Sequence, residues 1–160
     1  NFLAKRDQNL KSVQIQFSLL APDLGKQYQV KKICDENNID FFAYSPLSFG
    51  ILCIDPDKEE NKEKSFIRNS LFENYKKPTY ELRRCLKRIA HQRSVSQAQV
   101  AINWCCYQGT IPLVGMRKKS QVIDVSNVFN WNLKKNEFKV LQEVSKKCLK
   151  KMPKNPFSSN

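Results

Sequence analysis

Thr110-Ile-Pro-Leu-Val-Gly-Met-Arg-Lys-Lys-Ser-Gln121 is an apolar run that stops at a glycine and passes into a segment led by three cations. Residues 110–114 are short, apolar or β-branched and closed by Gly115, the pattern of a buried strand. Beyond it, Val122, Val125 and Phe129 recur at helical spacing, so a helix is expected to begin near residues 118–120. Arg117, Lys118 and Lys119 then crowd a helix N-terminus, where positive charge opposes the helix dipole by a few tenths of a kcal/mol per group, roughly. A bound anion held by the open N–H groups and the cations reverses that sign. The bland alternative is that the three cations reflect a lysine-rich composition.

Reading outward toward the N-terminus, Ser96-Gln-Ala-Gln99 has the form of a capping box. The helix it opens runs through Val100, Ala101 and Trp104 and ends at Gly109. Before it, Thr79 is a candidate cap for a helix over residues 80–91 that buries Leu82, Leu86 and Ile89 and exposes Arg83, Arg84, Lys87 and Arg88. His91, the single histidine, falls at the end of that exposed helix, where nothing in the sequence orients it for proton transfer. Toward the C-terminus, residues 135–149 form a last helix with Phe138, Leu141 and Val144 inward, followed by an irregular tail over residues 150–160.

The first third of the chain carries two more strands. Val13-Gln-Ile-Gln-Phe17 alternates strictly; if Val13, Ile15 and Phe17 meet helices, Gln14 and Gln16 point to the opposite face. Such an inward polar pair serves either a ligand or a structural hydrogen-bond network. A turn at 22–25 leads to an amphipathic helix over residues 27–36, and Ile39-Asp-Phe-Phe-Ala-Tyr-Ser-Pro46 is a second strand halted by proline. Strand, helix and strand within roughly 30 residues make a right-handed crossover and a parallel sheet. Residues 53–77 are crowded with Asp55, Asp57, Glu59, Glu60, Lys62, Glu63 and Lys64 and read as a long polar loop, a lid or an inert insertion. Residues 3–11 can form a short charged helix.

Composition narrows the classes. The 160 residues are 41% hydrophobic, enough for a core, and carry a formal net charge of +13, which suits nucleic acid, an anionic surface or a phosphorylated ligand. No recognition-helix or RNA-binding signature accompanies the lysines, which speaks against a nucleic-acid partner. The 6 cysteines include no C-x-x-C pair and no neighbouring histidine, which speaks against zinc, and their apolar positions suit a reducing, cytoplasmic setting. No run is long and apolar enough for a membrane helix. Asn1-Phe2-Leu3-Ala4 opens without methionine, so upstream sequence, including any targeting signal, is expected.

Asn1-Phe2, Gln14 in its alternating strand, Ala43-Tyr-Ser-Pro-Leu47 with Gly50, Ser96-Gln-Ala-Gln-Val-Ala101, and Ile111-Pro-Leu-Val-Gly-Met-Arg117 with Gln121 resemble, in the same order, the second half of an aldo-keto reductase. The resemblance runs from Asn1 to about the end of the last helix. It implies an α/β fold, the C-terminal part of a (β/α)₈ TIM barrel over residues 1–149, incomplete in this chain. It also implies an NADPH-dependent reductase of small carbonyl compounds, and the remainder of the barrel as partner. A noncatalytic NADPH-binding regulatory subunit, or an inactive fragment, is the alternative.

By position in that family, Asn1 and Gln14 would hold the nicotinamide carboxamide, and Tyr44 would stack on the nicotinamide ring. Ser45 and Leu47 would meet the pyrophosphate. Gly115, Arg117, Gln121 and Asp124 would surround the adenosine end, with Arg117 on the ribose 2′-phosphate. Arg68, in the polar loop, would reach the phosphates. Val125 stands where relatives often carry an asparagine, so the resemblance implies a looser hold on adenine. Val13 likewise replaces a frequent asparagine beside the substrate. The family's catalytic Asp, Tyr, Lys and His match no residue of this chain, and no catalytic residue is assigned within 1–160.

Overall fold

A computed structural model describes residues 10–21, 24–58 and 66–150. Asn1, most of the short helix expected over 3–11, part of the turn at 22–25 and nearly all of the C-terminal tail lie outside the described residues; Leu10 and Lys11 are described and are not helical. The elements are β1 (Ser12–Gln16), α1 (Leu24–Glu36), β2 (Asp40–Tyr44), a kinked 3-10 segment (Ser48–Cys53), α2 (Phe66–Arg93), α3 (Gln97–Tyr107), β3 (Ile111–Leu113), α4 (Lys119–Ser126), a 3-10 turn (Asn127–Asn130) and α5 (Lys135–Leu149).

The strands form one parallel sheet in the order β1-β2-β3. Its register sets Gln14 beside Phe42 and Ile111, and Gln16 beside Tyr44 and Leu113, so the strands finish flush. Because side chains alternate along a strand, that row shares one face. The other face carries Val13, Ile15, Phe41 and Ala43 into the helix layer. The glutamines therefore do point away from the helices, as the alternation requires. β3 departs from a buried strand: Ile111 remains 43% exposed because nothing among the described residues covers the row it stands in.

The core lies between the sheet and α1, α2, α3 and α5, centred on Trp104, which is fully buried. Phe17 stacks on the indole at 5.4 Å and Phe138 at 6.2 Å, while Phe41 and Tyr28 meet Phe17 edge-on. Side chains of this size contribute about 1.5–3 kcal/mol each when buried, plus the preference for offset and edge contacts. α5 follows the sequence pattern over its expected length, with Leu141, Ser145 and Cys148 buried.

Three expectations need correction, and one apolar stripe lies uncovered among the described residues. The polar loop over 53–77 is shorter than its composition suggests, because α2 already begins at Phe66 and buries Tyr75. Pro78 sits inside this helix and cannot donate, yet the turn is held by side chains: Thr79 Oγ1 donates to Tyr75 O at 2.6 Å, and Arg83 Nη2 to Lys76 O at 2.7 Å. Thr79 is thus an interior residue and not a cap. Arg83 is buried rather than exposed, because its guanidinium serves this turn and also donates to Thr79 Oγ1 at 3.1 Å. Finally, α4 buries no side chain, and Val122 (51% exposed) and Phe129 (79%) form an uncovered apolar face.

Ion pairing fastens the helix layer. Arg93 donates from Nε and Nη2 to the two oxygens of Glu137, at 3.0 and 2.8 Å, and lies 5.7 Å over the Trp131 ring. Burial works to raise the Glu137 carboxyl, but Arg93 and the Lys134 N–H outweigh it and hold it below its ordinary 4.5. Asp55 is also held low, chiefly by the Lys87 hydrogen bond. A carboxyl depressed by folding contributes stability that is complete above its unfolded value and is lost as pH falls through the folded one. Denaturation midpoints should therefore drop on acidification below about pH 4.5. Arg93→Met should cost about 2 kcal/mol at pH 7 and flatten that acid limb; urea titrations between pH 3 and 7 check both, and an unchanged slope would refute the role given to Glu137.

Candidate functional site

The flush strand ends and the loops leaving them gather most of the residues singled out from the sequence. Tyr44, the last residue of β2, is 43% exposed on the uncovered face, with Gln14 exposed two register positions back on β1. A phenol ring at the C-terminal end of the central strand, with the Gln16 amide beside it in register and Gln14 two positions back, offers a flat apolar surface and hydrogen-bonding groups to the same ligand.

The loop after β2 is conformationally unusual. Ser45, Ser48 and Phe49 all have positive φ (53°, 48° and 59°), followed by Gly50 at 95°. Non-glycine residues in this region cost of order 1 kcal/mol each and persist only where the surroundings enforce them. Here Ser48 N donates to Ser45 O and Gly50 N to Leu47 O, both at 2.9 Å, while Ile51 and Leu52 anchor the far end in the core. Ser48 N, Gly50 N and Leu52 N are thus bonded within the loop, which holds it as a compact turn directly beyond the end of β2.

After β3 the chain crosses Val114, Gly115 and Met116 and enters α4 with Lys118 as N-cap. Gln121 turns its side chain back, accepting from Arg117 N at 2.8 Å and Lys118 N at 3.0 Å through Oε1. Lysine has no acceptor, so Lys118 cannot return the usual half of a capping box. Arg117, Lys118 and Lys119 are exposed, and among the described residues none has a carboxylate partner. Gly115 has no conformational need to be glycine: its φ is not positive, and a Cβ there meets nothing within 4 Å.

Asp124 behaves differently from the rest. Its Oδ2 accepts from Ser96 Oγ at 2.6 Å and its Oδ1 from Gln99 Nε2 at 2.7 Å, which ties α4 to the first turn of α3. Ser96 also caps α3 by accepting from Gln99 N at 3.1 Å. The Gln99 side chain does not close the expected capping box; it spends its amide on Asp124 and accepts from Trp131 Nε1 at 3.1 Å. Arg68 lies on α2 and not in a loop, and its side chain is outside the described residues.

Sequence reasoning missed Ser18 and Ser48, whose hydroxyls meet at 2.9 Å beneath the β2 loop. The signal available was a serine within four residues of each strand's end, too common to single out. A cleft of about 580 Å³ lies elsewhere, on the helical flank, lined by Glu81, Arg84, Lys87, His91 and Val140 among others and by none of the strand-end residues. It is a groove between α2 and α5, not part of this site. No group of three or more potential metal ligands occurs among the described residues. Burial pushes the Cys105 thiol far above its usual range, so it stays protonated and inert.

Comparisons with known proteins bear on the family and the fold. Residues 3–146 match the sequence profile of the Aldo/keto reductase family. Chloroplastic pyridoxal reductase of Arabidopsis thaliana is 35% identical over 99% of this chain and 43% of its own length. (1S)-1,7-diacetoxy-luvungin A aldo-keto reductase of Citrus sinensis is 26% identical over 90% of this chain and 40% of its own. Among solved structures, glycerol dehydrogenase AKR11B4 from Gluconobacter oxydans superposes with a TM-score of 0.68 over 93% of this chain and 46% of that one, at 22% identity. A Gox0644 mutant in complex with NADPH superposes with a TM-score of 0.58 over 84% and 38%, at 16% identity. The chain thus spans less than half the length of the relatives it matches. A parallel sheet roofed by helices, with its loops and singled-out residues at the strand ends, is the corresponding part of a (β/α)₈ barrel, and the chain belongs to the aldo/keto reductase family.

Proposed function

We propose that the protein is an NADPH-dependent reductase of aldehydes or ketones and that this segment supplies most of its cofactor site. The observation that carries the reading is the pairing of an unneutralised Arg117-Lys118-Lys119 cluster at the N-terminus of α4 with the left-handed loop after β2. The donor set fits a dinucleotide bearing three phosphates: cations and helix N–H groups at one end, the tight loop over residues 45–50 between, and an aromatic ring with an amide at the other. NADPH, when bound, supplies the hydride that reduces the carbonyl carbon.

In this reading Tyr44 stacks on the nicotinamide and leaves one face open, and Gln14, with Asn1, orients its carboxamide. Ser45 and Leu47 meet the pyrophosphate. Arg117 takes the 2′-phosphate, and Gln121 shapes the turn that presents it, with Gly115 leaving space alongside. Arg68 is a further phosphate contact. Asp124, with both oxygens engaged, we assign to holding α4 on α3, beside any contact with adenine. The proton donor and its supporting Asp, Lys and His belong to the remainder of the barrel, which also closes the uncovered sheet face and completes the pocket for a small carbonyl substrate. Cytoplasmic residence, suggested by the reduced cysteines, competes with the chloroplast location that the Arabidopsis relative's name carries. Among the described residues no helix is long and apolar enough to cross a membrane.

Fluorescence titration of the full-length protein with NADPH, followed by carbonyl-dependent NADPH oxidation, tests this reading. A folded full-length protein that binds no NADPH would end it. Gly115→Val gives a sharper test. Stability should stay within about 0.5 kcal/mol, as for an exposed site with open space around it. NADPH affinity should fall about tenfold, the equivalent of 1.4 kcal/mol of lost contact. Unchanged affinity would show that the space beside Gly115 is not used.

A further inference from the structure

We infer that the hydroxyl pair of Ser18 and Ser48 is a positioning clasp that holds the loop after β2 in its anion-binding shape; the inference rests on the cofactor reading above. The two residues come from separate loops, one following β1 and the other following β2, and both are buried. Their Oγ atoms lie 2.9 Å apart, within hydrogen-bond distance.

Ser18 is the fixed half. Its Oγ also accepts from Leu20 N at 3.1 Å, and the residues on either side of it are pinned to the helix layer and to β2. Phe17 N donates to Tyr44 O at 3.2 Å, and Phe17 O receives the Cys105 thiol at 3.7 Å. Ser145 Oγ, on α5, donates to Leu19 O at 2.5 Å. The β1 loop is thereby a rigid platform made of sheet, α3 and α5.

Ser48 is the half that is held. It sits at φ 48°, within a stretch of left-handed residues that includes Ser45, Phe49 and Gly50. Glycine would adopt that backbone without strain, so a serine there is explained by what its hydroxyl does. Bonded to Ser18, it anchors the middle of the loop to the platform and fixes Ser45 and Leu47, the residues read as meeting the pyrophosphate. Neither serine needs to touch the ligand. A loop held in its bound shape before the ligand arrives spares the ordering cost on binding, so loosening the clasp should weaken affinity for the part of the ligand that this loop contacts.

The measurement compares two ligands on the full-length protein. NADPH spans both the β2 loop and the α4 end, whereas adenosine 2′-phosphate has no 5′-phosphate and reaches only the α4 end. Ser18→Ala and Ser48→Gly should each weaken NADPH binding about five- to tenfold and leave adenosine 2′-phosphate binding within twofold, read by calorimetry. Ser48→Gly relieves the strained backbone, so it carries the test if Ser18→Ala folds poorly. A merely structural pair would lower both affinities alike or neither, and either result overturns the clasp. Failure of the unsubstituted protein to bind NADPH would instead overturn the cofactor reading, and the clasp with it.

Discussion

Arg117→Ala is expected to weaken NADPH binding by about tenfold to a hundredfold while NADH binding changes by less than about twofold. The guanidinium is exposed and, among the described residues, has no carboxylate to satisfy it, so a 2′-phosphate would meet an unneutralised partner. Charge-assisted hydrogen bonds of this kind contribute about 1.5–3 kcal/mol, and each 1.4 kcal/mol is a factor of ten in affinity. NADH lacks the 2′-phosphate, so the loss should be confined to NADPH. Lys118 and Lys119 stand beside Arg117 and retain part of the attraction, which sets the upper bound on the effect. Added salt should narrow the preference, because exposed charges are screened within about 10 Å at 0.1 M. Fluorescence titrations with both cofactors decide it. Equal losses for the two would show that Arg117 acts through the shape of the β3–α4 turn rather than on the phosphate.

The same turn shows why some of the site was readable and some was not. A strand stopped by glycine and a helix begun by cations depend on local sequence alone, and the β3–α4 junction lies where that pattern puts it. The alternation of Val13 through Phe17 likewise fixed which face Gln14 would occupy, because a strand's period of two leaves no other choice. Burial decided by distant partners was not readable. Arg83 looks like a surface arginine, but its side chain turns back to Thr79 Oγ1 and Lys76 O and is buried there. Val122 and Phe129 have the spacing of a buried stripe, but α4 meets no neighbour on that side among the described residues. Gln99 matches a capping box, yet Asp124 and Trp131, 25 and 32 residues away, compete for its amide and prevail. The Ser18–Ser48 contact spans 30 residues and two loops, beyond any periodicity.

Asn103→Ala should destabilise the protein by about 3–5 kcal/mol, the largest stability effect expected of an uncharged side chain away from the aromatic core. Its amide is the sole side chain seen to brace the connection from α4 to α5 at three points among the described residues. Nδ2 donates to Val128 O at 3.1 Å and to Trp131 O at 2.8 Å, and Oδ1 accepts from Leu133 N at 3.0 Å. Asn103, Val128 and Leu133 are buried, so truncation strands donors and acceptors that water cannot readily reach, at about 1–3 kcal/mol for each. Asn103→Asp separates geometry from charge: it keeps an acceptor for Leu133 N but turns a carboxylate toward two carbonyl oxygens, and should destabilise at least as much as alanine at pH 7. Because protonation restores one donor, the aspartate variant alone should regain stability as the pH is lowered from 7 toward 5, before the acid limb of Glu137 sets in. Urea denaturation across that range measures both variants. A loss below about 1 kcal/mol for alanine would mean that the α4–α5 connection repacks without its brace. The position of α4, and with it Arg117, would then depend on Asp124 and its partners Ser96 and Gln99.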